Sequence, residues 1–286
     1  MAGGRQSVQA GRRAANPDVV AAVMGQVQAA LIAASGRLVI IGICGAQGSG
    51  KSTLAEAVAA ACAAQSLRSA VLSIDDLYLT HAARQHLARK VHPLLATRGV
   101  PGTHDLALAA QVFAMLERGE PVPLPRFDKL RDDRRDADTW PRAPAGCQVL
   151  LFEGWCIGAR PQASSALKKT INVLERDEDP HGTWRRVAND ALAGPYDEVF
   201  ARIDRLVLLA APTFEIVADW RWEQERALAQ AQVGVASMDA AQVRRFVAHY
   251  ERLTRHILAE MPDRADLVIR LNDQRRPLSI TSRCRA

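Results

Sequence analysis

No run in this 286-residue chain approaches the roughly 20 apolar residues that cross a bilayer; the longest, Leu38 to Cys44, falls far short. The first residues also lack the apolar centre of a secretion signal, so a soluble, cytoplasmic protein is expected. Cysteine is scarce. The five present, Cys44, Cys62, Cys147, Cys156 and Cys284, form no C-x-x-C pair, which argues against the common zinc spacings and reads as free thiols in a reducing compartment. Aromatic residues make up only 5% and scarcely interleave with the arginines at Arg12-Arg13, Arg126 to Arg135 and Arg275 to Arg285. A stacking surface for nucleic acid is therefore not expected, and the net charge of +6 fits cations gathered around a polyanionic ligand. Also missing is the N-K-x-D that reads guanine, and the lone D-x-x-G, Asp179 to Gly182, follows a charged loop rather than a strand. These absences argue against a GTPase switch; an ABC-type signature and internal repeats are missing too.

What is present suffices for a large core, with 48% apolar and 24% charged residues. Residues 1–16, arginine-bearing and without an acid, read as a flexible tail, and 17–286 as a single domain. Pro17-Asp18 opens a helix to about Ala34 with Val19, Val20, Val23, Val27 and Leu31 on one face. Short apolar, β-branched runs at Arg37 to Cys44, Ser69 to Ile74, Gln148 to Phe152, Arg205 to Leu209 and Leu267 to Leu271 read as strands buried on both faces. Helical stretches at about 51–65, 105–118, 183–193, 214–232 and 240–260 separate them. Five strands alternating with helices give a doubly wound, mainly parallel α/β sheet with helices on both faces. Residues 119–146, rich in Pro, Arg and Asp, are too long and polar for an idle connector and are expected to form an acceptor-site loop.

Gly45-Ala46-Gln47-Gly48-Ser49-Gly50-Lys51-Ser52, with Thr53 adjoining, fits G-x-x-x-x-G-K-[ST] between a buried strand and a helix. Glycines let successive N–H groups curl inward onto phosphate oxygens, and the helix N-terminus adds partial positive charge. Lys51 then reaches the β- and γ-phosphates, and the Ser52 hydroxyl a Mg²⁺ ion. The motif in this setting marks a nucleotide site of the P-loop NTPase class.

Two acidic positions, Asp75-Asp76 and Glu153, stand at the carboxyl ends of strands, where ligands sit in an open parallel sheet. Phosphoryl transfer to an alcohol needs one carboxylate for the metal and another to accept the hydroxyl proton. Asp75 is the candidate base and Glu153 the candidate metal ligand. Each could instead cap a helix or turn, and Asp76, expected to point the other way, stays open between the two roles.

GAQGSGKST, SIDDLYLT, HPLLATRGVPGTHD, LPRFDK with DDR, LFEGWCIGA, NDALAGPY and WRWEQE, in this order between about Arg37 and Leu271, closely resemble the plant-type D-glycerate 3-kinases and their bacterial and fungal relatives. The wider group looks like the phosphoribulokinase, uridine kinase and pantothenate kinase branch of P-loop kinases. The resemblance implies an ATP- and Mg²⁺-dependent kinase of a small-molecule hydroxyl, D-glycerate to 3-phosphoglycerate in the first instance. It matches Asp75 to the carboxylate that activates the acceptor and Glu153 to the second acid. Another small alcohol is the nearest alternative, and a nucleotide-binding ATPase or interaction module a more distant one. A carboxylate substrate calls for cations, and Arg98, His104, Arg126, Lys129 and Arg134 lie in loops between the strands that carry the chemistry. For each of these, a solvated or salt-bridged surface role stands beside substrate contact; Tyr78 is open between acceptor contact and core packing. Arg221, in WRWEQE, falls in a segment at about 214–235 where kinases of this branch carry a lid. It is a candidate for the transferring phosphoryl group, with an i,i+4 pair to Glu225 as the alternative. Oligomeric state is left open.

Overall fold

The computed structural model describes residues 14–231 and 238–283, so most of the expected tail, the far end of the expected lid and Cys284 lie outside the described residues. Asn16 caps α1 (Pro17–Ala34) by accepting from the Asp18 and Val19 N–H groups, with Pro17 where no N–H is needed. A fully buried β1 (Val39–Gly45) follows, then α2 (Lys51–Ala64) and β2 (Ser69–Ser73). The chain continues through α3 (His81–Lys90), α4 (Leu106–Glu117), a small antiparallel hairpin of β3 (Phe127–Asp128) and β4 (Asp133–Arg134), and β5 (Val149–Gly154). Next come α5 (Val173–Glu178), α6 (Thr183–Ala193), α7 (Pro195–Phe200) and β6 (Arg205–Ala210). Two long helices, α8 (Phe214–Ala231) and α9 (Ala240–Glu260), lead to β7 (Leu267–Leu271) and β8 (Pro277–Ser282).

The strands line up as β2-β5-β1-β6-β7-β8, the first five parallel and β8 antiparallel to β7. The chain runs from β1 out to β2 on one side and later to β6 and β7 on the other, so the strand order reverses at β1. A crevice opens there at the carboxyl ends of the strands. Side chains alternate across the sheet. Ile41, Ile43, Leu151, Val207 and Ile269 pack with α1, α2 and α8, while Ile40, Leu150, Phe152 and Leu208 face α4, α7 and α9. By length and composition α1 is apolar enough to cross a membrane, with mean hydropathy 1.4. Its Val19, Val23, Val27 and Ala30 are nonetheless buried in the core that includes α2 and the sheet.

Two differences from the sequence reading have physical causes. Among the described residues the sheet has six strands, not five. The sixth, PLSITS, is a largely exposed antiparallel edge strand with no continuous apolar run to reveal it. Helix α3 is also unexpected, because HAARQHLARK buries only Arg84 and draws its stability from Thr80, which caps it, and from Arg84 pairing with Asp132 at 2.6 Å.

Candidate active site

The glycine-rich loop follows β1 into the crevice. Gly48 and Gly50 hold φ of 80° and 91°, which a side chain resists, and a Cβ on Gly48 would lie 2.7 Å from Trp220 Cβ. Helix α2 starts on Gly50 with no side-chain cap, so no side chain competes for the N–H groups of its first turn. Ser52 Oγ donates to Glu153 Oε1 at 2.9 Å. Strand register brings them together, since Glu153 lies opposite Ile43 of β1 and Ser73 of β2. Glu153 is 4% exposed, and its Oε2 has no hydrogen-bond partner among the described residues. A bare carboxylate oxygen beside a hydroxyl suits a hard divalent cation. Among the described residues no three His, Cys, Asp or Glu side chains form a metal cage, so phosphates and water would complete such a shell.

Beyond Ser73 the chain tightens into a 3₁₀ turn, Ile74–Leu77, with the Ser73 hydroxyl accepting from Asp75 N–H. Asp75 therefore lies just past the end of its strand. Its Oδ1 accepts from the Tyr78 hydroxyl at 2.8 Å and its Oδ2 from Lys129 Nζ at 2.6 Å. Burial alone would raise its pKa, but the charges of Lys129 and Lys51, with these two bonds, hold it well below the usual carboxylate range.

Asp76 fastens the hairpin. Its carboxylate accepts from Phe127 N–H at 3.0 Å and pairs with Arg126 at 3.2 Å. Asp132, in the left-handed region at φ 55°, binds Arg84, Arg98 and His81, and Arg134 pairs with Asp105 at 2.9 Å. These ion pairs frame the segment that lays Lys129 across Asp75, although the Lys129 side chain itself is 59% exposed.

Leu79 N–H bonds Thr103 O at 2.9 Å and Asp105 N–H bonds Leu77 O at 2.7 Å, which stacks the His104 ring on Tyr78 with centroids 4.7 Å apart. His104 Nδ1 meets the Tyr196 hydroxyl, and its buried Nε2 has no partner among the described residues. Burial pushes the imidazole pKa down to about 4. The glycine-rich loop, Glu153, Asp75, Tyr78, His104 and Lys129 thus occupy one crevice. Arg126 is committed to Asp76 and the Pro125 carbonyl, and the Arg221 guanidinium carbon lies 5.2 Å from the Phe246 ring centroid on α9. The Glu225 side chain, its proposed i,i+4 partner, lies outside the described residues.

Four further residues support this crevice and were not legible as site residues. Tyr250 and Trp155 donate to the carbonyls of Arg98 and Gly99. Tyr196 holds His104, and Arg275 donates to the Gly48 carbonyl at 2.7 Å while pairing with Glu223. Arg275 carried one usable signal: it follows the last parallel strand, at the sheet edge where ligands bind.

A family model described as the methylmalonyl Co-A mutase-associated GTPase MeaB matches residues 15–80. That span holds α1, β1, the glycine-rich loop, α2, β2 and the Asp75 turn, and it stops before the hairpin. Longer matches decide the family. The chain is 35% identical over 229 residues to the uncharacterized kinase mug58 of Schizosaccharomyces pombe, covering 75% of this chain and 79% of that protein. This chain belongs to that family of P-loop kinases. The kinase is also 32% identical over 258 residues to the chloroplastic D-glycerate 3-kinase of Arabidopsis thaliana, covering 84% of this chain and 54% of the plant protein. It therefore spans about half the length of that relative. A solved structure of D-glycerate 3-kinase from Cryptococcus neoformans superposes with a TM-score of 0.78 at 24% identity, over 94% of this chain and 100% of that one. At that identity the likeness shows the doubly wound P-loop kinase fold alone. Family membership makes the protein a small-molecule kinase that draws its phosphoryl group from ATP.

Proposed function

We propose that the kinase transfers the γ-phosphoryl group of ATP to the 3-hydroxyl of D-glycerate, giving 3-phosphoglycerate. The observation that carries this reading is the Lys129 ammonium resting on Asp75 at 2.6 Å, beside Tyr78 and His104. A base already covered by a cation suits a substrate whose own carboxylate can draw that cation away. In the free enzyme Lys129 keeps Asp75 weakly basic. As the glycerate carboxylate takes Lys129, Asp75 regains basicity, accepts a hydrogen bond from the substrate hydroxyl, and takes its proton as the oxygen meets phosphorus. Lys51 and the loop from Gly45 to Thr53 hold the triphosphate, with Lys51 balancing charge on the transferring oxygens. Ser52 and Glu153 would hold Mg²⁺, which when bound neutralises phosphate charge and orients the nucleotide.

Arg126 acts in this reading from beside the acceptor, through Asp76 and the hairpin. The segment 214–235 serves as the lid, bringing Arg221 toward the phosphoryl group when it closes. Residues 17–286 work as one domain with 119–146 as the acceptor-site loop. Four buried free thiols, Cys44, Cys62, Cys147 and Cys156, suit a reducing compartment such as the cytoplasm.

The test is an endpoint reaction of purified kinase with Mg-ATP and D-glycerate, with L-glycerate, pantothenate and uridine alongside. Mass spectrometry with standards resolves 2- from 3-phosphoglycerate. A 3-phosphoglycerate product lost in Lys51→Ala is expected; ADP formed without any phosphorylated glycerate would sink the reading.

A further inference from the structure

Tyr196 belongs to NDALAGPY, a motif that the mechanism above leaves without a role. It is 1% exposed, on α7, and burial raises its pKa well above the ordinary phenol value, so the hydroxyl keeps its hydrogen. The phenol oxygen already accepts from Gly102 N–H at 3.1 Å. Its single hydrogen is then free for His104 Nδ1 at 2.5 Å. An Nδ1 that accepts cannot carry the proton of a neutral imidazole, which must sit on Nε2. Nε2, one carbon away across Cε1 and aimed in a different direction, is shielded from solvent and has no partner among the described residues. The ring itself is stacked on Tyr78, whose hydroxyl bonds Asp75, and Asp75 is the charged group that acts on it. A buried donor left unpaired is costly, so its retention marks a place where a ligand oxygen belongs.

We propose that Tyr196 is a positioning residue that fixes His104 as the Nε2–H tautomer, a neutral hydrogen-bond donor to an oxygen of the acceptor. This rests on the reading of the crevice around Asp75 as the acceptor site. The acceptor must then offer a lone pair, from a carboxylate or hydroxyl oxygen, at the point where Lys129 withdraws from Asp75. A group that can only donate, such as an ammonium, is refused there. The donor is also uncharged, so this contact does not weaken as pH rises through the ordinary histidine range.

The decisive experiment is ¹⁵N NMR of the full chain labelled at histidine, with the His104 signals identified by their loss in His104→Gln. Between pH 5.5 and 8, Nε2 should show the protonated-nitrogen shift and Nδ1 the unprotonated one, without titration. The reverse assignment, or a midpoint near the ordinary value, overturns the proposal. Tyr196→Phe should convert the pattern to a mixture of tautomers; an unchanged pattern also overturns it. Kinetics give a second readout that a merely structural role would not move. His104→Gln, whose amide can donate from the Nε2 position, should keep the D-glycerate KM within about threefold, whereas His104→Asn should raise it about tenfold or more at unchanged ATP KM. Equal losses in both variants refute the donor role. If the wild-type protein phosphorylates no glycerate but shows the Nε2–H tautomer, the substrate reading has failed and the Tyr196–His104 assignment stands.

Discussion

Around Lys51 the chain is held by backbone and apolar packing, whereas around Lys129 it is held by charge. The glycine-rich loop hangs between a fully buried strand and a helix whose Leu54, Ala55 and Val58 are sunk in the core. The hairpin that bears Lys129 has strands of two residues each and is tied down by Asp76, Asp132 and Asp105. The glycine-rich loop side therefore resembles a fixed mould, and the hairpin side, the proposed acceptor side, a clamp of exchangeable ion pairs. In the proposed reaction, such a division suits a kinase that must always recognise the same triphosphate, yet expose its base only when a hydroxyl is ready.

The sharpest way to separate the two regions is to remove one charge from each. Lys51→Ala should lower kcat/KM about 10⁴-fold, because a charge-assisted contact disappears from both bound ATP and the transition state. Asp75→Asn should lower kcat about 10³-fold, the usual worth of a positioned base, while ATP binding by fluorescence titration changes less than about threefold. Near-normal transfer by the Asn variant would remove Asp75 from the reaction. An equal loss of ATP affinity would erase the distinction between the regions.

A smaller effect should come from Asp132→Ala, which touches neither ligand. Arg84, with a side chain of 0% exposure, would lose its carboxylate, and Arg98 and His81 would lose theirs. Leaving a buried guanidinium unpaired costs about 3 kcal/mol, measurable by chemical denaturation. Without this pin Lys129 should wander, raising the acceptor KM about 30-fold at constant ATP KM, on the estimate that a misplaced contact forfeits about 2 kcal/mol. An unchanged acceptor KM would show that the hairpin is held elsewhere.

The same contrast explains what could be read from the sequence. The loop from Gly45 to Thr53, the strand at Val149–Gly154 and the long helices announce themselves because their signals are local: a fixed motif, a β-branched run, a 3.6-residue period. Asp75 and Glu153 follow from the rule that strand ends face the crevice, and register then sets Glu153 opposite Ser73. The pairing of Asp76 with Arg126, some fifty residues downstream, leaves no such trace, nor does Tyr196 beneath His104. Arg126 and Lys129 look alike in the sequence, both cations in one polar loop, but one is bound to Asp76 and the other to Asp75. Ion pairs between distant loops have no period, so composition can announce a charged pocket without saying which charge faces inward.

The gentlest probe of the contrast is acid. Burial holds His104, at the proposed acceptor site, and His249 on α9 each at a pKa of about 4, against 6.5 when exposed. As pH falls below 6.5 the unfolded chain gains these protons first, and the native state resists until about 4. Stability should therefore be flat above pH 7 and fall between 6.5 and 4, by at most about 3 kcal/mol for each histidine. Denaturation curves at pH 7 and 4.5 should show the loss, and His249→Asn and His104→Asn should each remove part of it. Only the His104 change should also move the acceptor KM, because His249 lies behind Trp184 with its Nδ1 on the Arg245 carbonyl. If His249→Asn shifts that KM as much as His104→Asn does, the proposed acceptor clamp extends into the α9 core and is less separable from the scaffold than its ion pairs imply.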